Sequence, residues 1–353
     1  MRNCFITALL FLALFAFQTH PAALSKSKEA KRRLDIKINP VVDLSYMIRK
    51  YAASKSELPG YMEPFREAVG VARQLNGEFG GWVGGGWPIL DSVLSKCKNT
   101  SDAMQAVSQL PETITSRSGT TIRVREPAVR YADSLHAVEP AYLKNVWPQH
   151  KAIAKRTAAH IANNFAPKEQ QCFAYLTTSL GMPDTAYQVP VFLVVETPWP
   201  GAFTFWDSTR KGTIVVSVEA NPGSILYEAL LHEAIHALDL ETEGKGNVLA
   251  EIRFRLKKAG LAENDIALVQ GAHLIVFMQA GETIRRLIEP SHRHYGDVRG
   301  VYAYDALRPL VDVARPVWMA YLDKRISRDE AINQIVEGFL RVRKETLSKT
   351  QPR

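Results

Sequence analysis

A chain of 353 residues, 46% of them hydrophobic and 23% charged, is long enough to bury a large core and to divide into two domains. Its net charge of +8 comes from basic residues spread along the chain rather than gathered in one patch, which excludes nucleic-acid binding as its business. Neither Cys97 nor Cys172 stands in a paired-cysteine spacing, so a cysteine-built metal site is excluded as well.

Residues 1–23 read as a targeting segment. Arg2 supplies the positive start, 5–17 is an apolar run, and Pro21-Ala22-Ala23 offers small residues for cleavage. The run falls short of the roughly 20 residues that span a bilayer. The expectation is therefore an exported, periplasmic or secreted protein with no stable membrane insertion after signal cleavage; an uncleaved anchor is the alternative. Export would place Cys97 and Cys172 where disulfides form, and both a bridge and two separate thiols are compatible with the sequence.

Residues 24–183 read as a mostly helical N-terminal region. A basic run at 26–33 is a solvated start, and a helical pattern over 44–76 is interrupted by a turn at Leu58-Pro59-Gly60. The glycine-rich stretch 77–88 lacks the lysine and the strand-to-helix setting of a phosphate loop. It is expected to be a loop whose Trp82 and Trp87 plug the surface. Helix follows over 89–109, a break at 111–119, and a longer helical stretch over 139–165, where His150 and His160 take packing or surface positions.

The texture changes after Pro183. β-Branched runs at 189–195 and 212–218 predict strands, with a short strand at 203–206 between turn-forming residues. Asn221-Pro222-Gly223 ends the second run, and Ser224 can cap a helix over 224–240. The chain therefore reads as an α+β protein: a domain at 184–345 with a small mixed sheet and the helix over 224–240, joined to the mostly helical N-terminal region and followed by a polar tail at 346–353.

That helix carries His232-Glu233-Ala234-Ile235-His236. Side chains four apart on a helix lie one above the other, so both imidazoles can reach one Zn2+ ion while Glu233, rotated by one residue, faces a water. A third ligand completes a tetrahedral site with one open position. Glu251 is preferred for it, on a second helix beginning at Asn247 after the Gly244-Lys245-Gly246 turn. Asp239, Glu241 and Glu243 compete, and Asp239, one turn past His236, suits better the support of a ligating imidazole. In such a site Glu233 accepts the proton of the attacking water and passes it to the departing amine.

His232-Glu233-x-x-His236 followed by Glu251 resembles the thermolysin-like, glutamate-liganded zinc peptidases, or gluzincins, over about residues 184–258. The resemblance implies that 184–345 is a zincin-like metal-dependent domain whose helix over 224–240 is the active-site helix, and that 212–218 is an edge strand above the metal cleft, to which an extended peptide can add. The longer third-ligand signature of thermolysin is absent, and Glu251 follows His236 sooner than in that enzyme. Farther on, Gly281-Glu282-x-x-Arg285-Arg286 and the Tyr295/Gly300/Tyr302 cluster resemble poorly characterised exported bacterial proteins with zincin-like domains.

An oxyanion stabiliser must come from outside the motif helix. Tyr295 is the first choice and His294 the second, with Tyr302 and Tyr304 behind them. Arg285 and Arg286 read as helix-surface ion-pair partners, and His273, inside an apolar helical run, as a core or boundary residue. Ser327-x-x-Glu330 forms a capping box for a helix to about residue 344. The functional expectation is a zinc-dependent hydrolase, foremost a peptidase acting on peptide or protein substrates. The alternatives are a cell-wall amide hydrolase and a non-enzymatic exported binding or assembly protein with a structural or vestigial zinc site.

Overall fold

The computed structural model describes residues 32–54, 57–79, 85–115, 121–183, 187–207, 209–239 and 247–350. The expected targeting segment 1–23, Trp82, Glu241, Glu243 and the Gly244-Lys245-Gly246 turn lie outside the described residues.

Four strands build the central sheet: β1 (Leu34–Lys37), β4 (Val189–Val194), β5 (Ala202–Trp206) and β6 (Gly212–Ser217), with β2 (Thr113–Thr115) and β3 (Thr121–Arg123) pairing as a separate hairpin. The order is β1-β4-β6-β5, with β4 parallel to both β1 and β6 and β5 antiparallel to β6. Successive residues of a strand point to opposite faces. Accordingly Val191, Leu193, Ile214 and Val216 enter one core, while Phe192, Val194, Val215, Phe203 and Phe205 enter another with Val42 and Tyr46. Burial on both faces is why the two long runs read as continuously apolar.

The edge position corrects the expectation from the resemblance. β6 is interior, paired on both sides, and the edges of the sheet are β1 and, beside β6, the short strand β5. A tight connection makes this possible: Asp207 Oδ1 accepts from the backbone and hydroxyl of Thr209 and from Lys211 N, folding β5 back beside β6.

Thirteen helices are assigned among the described residues. α1 (Pro40–Ala53), α2 (Arg66–Glu78), α3 (Trp87–Leu94), α4 (Thr100–Ser108) and α5 (Arg125–Asn145) enclose a core of their own, into which Trp87 is fully buried. α6 (Trp147–Asn164) and α7 (Ala166–Leu180) pack instead with the sheet and with α8 (Ser224–Leu238), α9 (Val248–Lys258) and α10 (Ile266–Leu287). α11 (Tyr295–Val298), α12 (Arg308–Leu322) and α13 (Arg328–Thr350) complete the chain. The sheet core thus draws residues from both sides of position 184, and Arg32–Arg353 is one compact unit. α13 begins with the expected capping box, Ser327 N donating to Glu330 and Glu330 N to Ser327 Oγ, but runs on to Thr350.

Cys97 and Cys172 are both free and buried in different cores, so no bridge joins them. No helix of the described residues is long and apolar enough to cross a membrane.

α8 is held between the sheet and α10, and 12 of its 15 residues are buried. One close approach fixes its depth. A Cβ on Gly212 would fall 2.5 Å from Ala237 Cβ and 2.6 Å from Ala237 Cα, so only glycine lets β6 run this near the helix.

Candidate metal centre

α8 begins at Gly223, whose φ of 63° suits glycine, and Ser224 is already helical. The expected Ser224 cap is therefore absent: its hydroxyl pairs with His292 Nδ1 at 2.8 Å. Helical spacing then stacks His232 and His236, and α10 brings a third imidazole, His273, against them. His232 Nε2 lies 3.1 Å from His236 Nε2 and 3.0 Å from His273 Nε2. All three ligand nitrogens lie within 4.8 Å of one another. Zinc–nitrogen bonds of 2.0–2.1 Å at tetrahedral angles would separate two nitrogens by about 3.3 Å, close to the two separations from His232 Nε2.

The protonation states suit a cation. Burial pushes the His232 imidazole well below its ordinary pKa, with His236 and His273 adding to the effect. Burial, then the nearby Arg253 charge, lowers His236 to about 4; burial, then His236 and Arg253, lowers His273 to about 3. At neutral pH the three rings are uncharged, the form that ligates metals. His273 Nδ1 lies 3.3 Å from Gln270 Oε1, an acceptor that places the proton on Nδ1 and leaves the Nε2 lone pair for a metal. Three convergent Nε2 atoms cannot all satisfy one another, because a neutral imidazole has one N–H and one lone pair. The residues present therefore fit a divalent ion.

Glu233 faces β5. Thr204 Oγ1 sits 2.7 Å from its carboxylate and 2.9 Å from its carbonyl oxygen. Burial raises the Glu233 carboxyl to about 7, against the opposing hydrogen bond from Thr204. A cavity of about 280 Å³ opens onto the three imidazoles and Glu233, with Thr204, Phe277 and Tyr295 in its wall. The Phe277 ring centroid lies 4.2 Å from that of His232 and 4.8 Å from that of His273, shielding the nitrogens on that side.

The structure brings His232, Glu233, His236 and Tyr295 to this cavity. Tyr295 stacks on Phe277 and donates its hydroxyl to Pro200 O at 2.8 Å. Glu251 is not among the clustered ligands. It shares a face of α9 with Arg255, which donates to one of its oxygens, while Arg328 of α13 approaches the other at 3.5 Å. Val248, Leu249, Ile252 and Leu256 are the residues α9 turns inward, and this turns Glu251 away.

Asp239 accepts from Asn247 Nδ2 at 2.9 Å and Arg253 at 2.7 Å, so it ties the end of α8 to α9 rather than orienting an imidazole. His294 lies behind the cavity wall, its Nε2 3.1 Å from Glu282 Oε1. Arg285 and Arg286 close on the same carboxylate. His150 bonds Asp43, and His160 stacks on Tyr227; neither joins the cluster.

Sequence reasoning missed three site residues. His273 left a trace, a histidine inside a long apolar helix with no neighbouring charge of its own. Thr204 and Gln270 left none, since neither type is unusual on a strand or a helix surface. No protein-family model, curated protein or solved structure matches this chain.

Proposed function

We propose that the protein is an exported zinc-dependent hydrolase that cleaves peptide bonds. The observation that carries this reading is the meeting, in one cavity, of three neutral imidazoles, that of His232 buried and those of His236 and His273 half-buried, with a buried carboxylate of near-neutral pKa. Among the described residues the cluster holds three ligands, which fits the catalytic rather than the closed structural pattern. The antiparallel edge strand β5 beside the motif helix supports a zincin-like architecture. The ligand set, however, is three histidines in place of the glutamate-completed set of the gluzincins.

His232, His236 and His273 would hold the ion. Zinc bound there supplies Lewis acidity toward a substrate carbonyl and toward water. Glu233 takes the proton of the attacking water; a carboxyl near 7 can both accept that proton and release it to the leaving nitrogen at neutral pH. Thr204 fixes the rotamer of Glu233, and Phe277 keeps bulk water off the imidazoles. Tyr295, whose hydroxyl borders the cavity, is the donor for the developing oxyanion once it leaves Pro200 O.

The test is metal analysis combined with peptide hydrolysis. Wild-type protein should carry one zinc per chain and cleave peptides. Glu233→Gln should keep the zinc and lose about 10²- to 10⁴-fold in kcat. Full activity in that variant would sink the assignment of Glu233 as base.

A further inference from the structure

The motif helix carries a second buried carboxylate that the proposed chemistry leaves unused. Glu228 stands one turn before His232, on the same side of α8, and is 1% exposed. Its Oε2 accepts from His292 Nε2 and from Tyr295 N, each at 2.7 Å, which fixes the carboxylate in place. Among the described residues nothing donates to its Oε1. Asn221, also 1% exposed, is in a parallel position. Its Nδ2 gives both protons away, to Gly201 O at 3.0 Å and Ser217 O at 2.9 Å. This fixes the amide orientation and leaves Oδ1 as an acceptor with no donor among the described residues. Both residues line the cavity that opens onto the imidazoles.

Buried acceptors without donors are uncommon in folded proteins, because losing water without a replacement is costly. Two of them on residues that line one cavity, one a carboxylate, fit a ligand with several N–H donors and a positive charge. We propose that Glu228 and Asn221 form a subsite for the protonated α-amino group of a substrate's free amino terminus. This rests on the hydrolase reading and narrows it to cleavage near that terminus. The size agrees: about 280 Å³ is at the small end for ligand sites and suits the first residues of a chain rather than a long peptide. Ala202, Phe203, Ala229 and Phe277 line the same space, so the first side chain should be apolar.

Binding and hydrolysis test this separately. Titration calorimetry of the full chain in chelator should show L-leucinamide binding at least about 10-fold more tightly than 4-methylpentanamide, which lacks only the amine, and than N-acetyl-leucinamide. Glu228→Gln preserves an oxygen for His292 and Tyr295 N but presents N–H groups to the ligand; it should erase the preference while thermal unfolding shows a folded protein. On the zinc-loaded chain, peptides with free amino termini should be cleaved about 10- to 100-fold faster, in kcat/KM, than their acetylated forms. An amine preference that depends on Glu228 without any hydrolysis supports the subsite and overturns the hydrolase. Hydrolysis indifferent to acetylation, with no amine preference in the titration, overturns the subsite and leaves the hydrolase standing. The wild-type comparison alone decides the matter if Glu228→Gln does not fold.

Discussion

The N-terminal helical core and the α8/α10 region both bury charged and titratable groups, but they finish them differently. In the helical core, 10 of the 14 residues of α1 are buried, Arg49 among them. Arg49 reaches both oxygens of Asp91 at 2.8 and 3.0 Å, Tyr46 donates to the same carboxylate, and the guanidinium lies over the rings of Trp87 and Tyr46. Asp43 is closed likewise by Tyr142, His150 and Val195 N. These networks end on themselves. Around α8, by contrast, three imidazoles, Glu228 and Asn221 line a shared cavity, and Glu228 Oε1 and Asn221 Oδ1 have no donor among the described residues. Burial alone is therefore no sign of function in this protein; a network that stays open toward a cavity is.

The comparison breaks first at the metal. Replacing His273 by alanine should weaken zinc binding by more than about 10²-fold, beyond what loss of an outer partner does, whereas Glu251→Ala should leave it unchanged. Competition with a chromogenic chelator reads both. The reverse pattern would restore Glu251 as the third ligand and remove the argument that α10 completes the site.

The closed core should respond in stability instead. Arg49→Met strands the buried Asp91 carboxylate and should cost about 3–5 kcal/mol in urea unfolding. Arg49→Met combined with Asp91→Leu should recover most of that loss, because a buried pair replaced by apolar residues is often neutral. Zinc affinity of the folded double variant should match the wild type. A single-variant cost below about 1 kcal/mol would mean that the pair is solvated and that the two regions differ less than their burial implies.

What was legible in the chain follows from range. His232, Glu233 and His236 are related by helical spacing over five residues, and the strands at 189–194 and 212–217 by β-branched composition, so local pattern sufficed. His273 lies 37 residues beyond His236 and joins it only because α10 packs on α8. Its apolar surroundings made it look like core, and it is half-buried. Glu251 drew attention because a separate helix can approach the metal from another side, but which face of α9 turns inward is decided by Val248, Ile252 and Leu256. The edge strand was misplaced for a related reason. The family resemblance implied the edge for β6, while edge position depends on pairing partners that no single segment contains.

Glu282 sharpens the same contrast through pH. It lies in the stretch that carried the weaker family resemblance, and it binds His294, the second candidate oxyanion stabiliser, in a network with Arg285 and Arg286. Burial acts to raise the Glu282 carboxyl, but hydrogen bonds from His294, Arg285 and Arg286 outweigh it and hold the group well below the usual carboxylate range. An acid with a lower pKa folded than unfolded binds fewer protons in the native state, so its contribution to stability is fully present above the unfolded value, about 4.3, and is lost as pH falls through the folded one. Arg285 is 42% and Arg286 25% exposed, so solvent screens part of the attraction. Glu282→Gln should accordingly cost about 1–3 kcal/mol at pH 7, less than Arg49→Met. The wild-type and variant stabilities should converge as pH falls below about 4, since protonation does to the wild type what the substitution does to the variant. Chemical unfolding at pH 7 and pH 3.5 measures both differences. A gap that stays constant between the two would show that Glu282 is held by packing rather than by its charge, and zinc-dependent activity lost in step with Glu282→Gln would move His294 back toward the cavity.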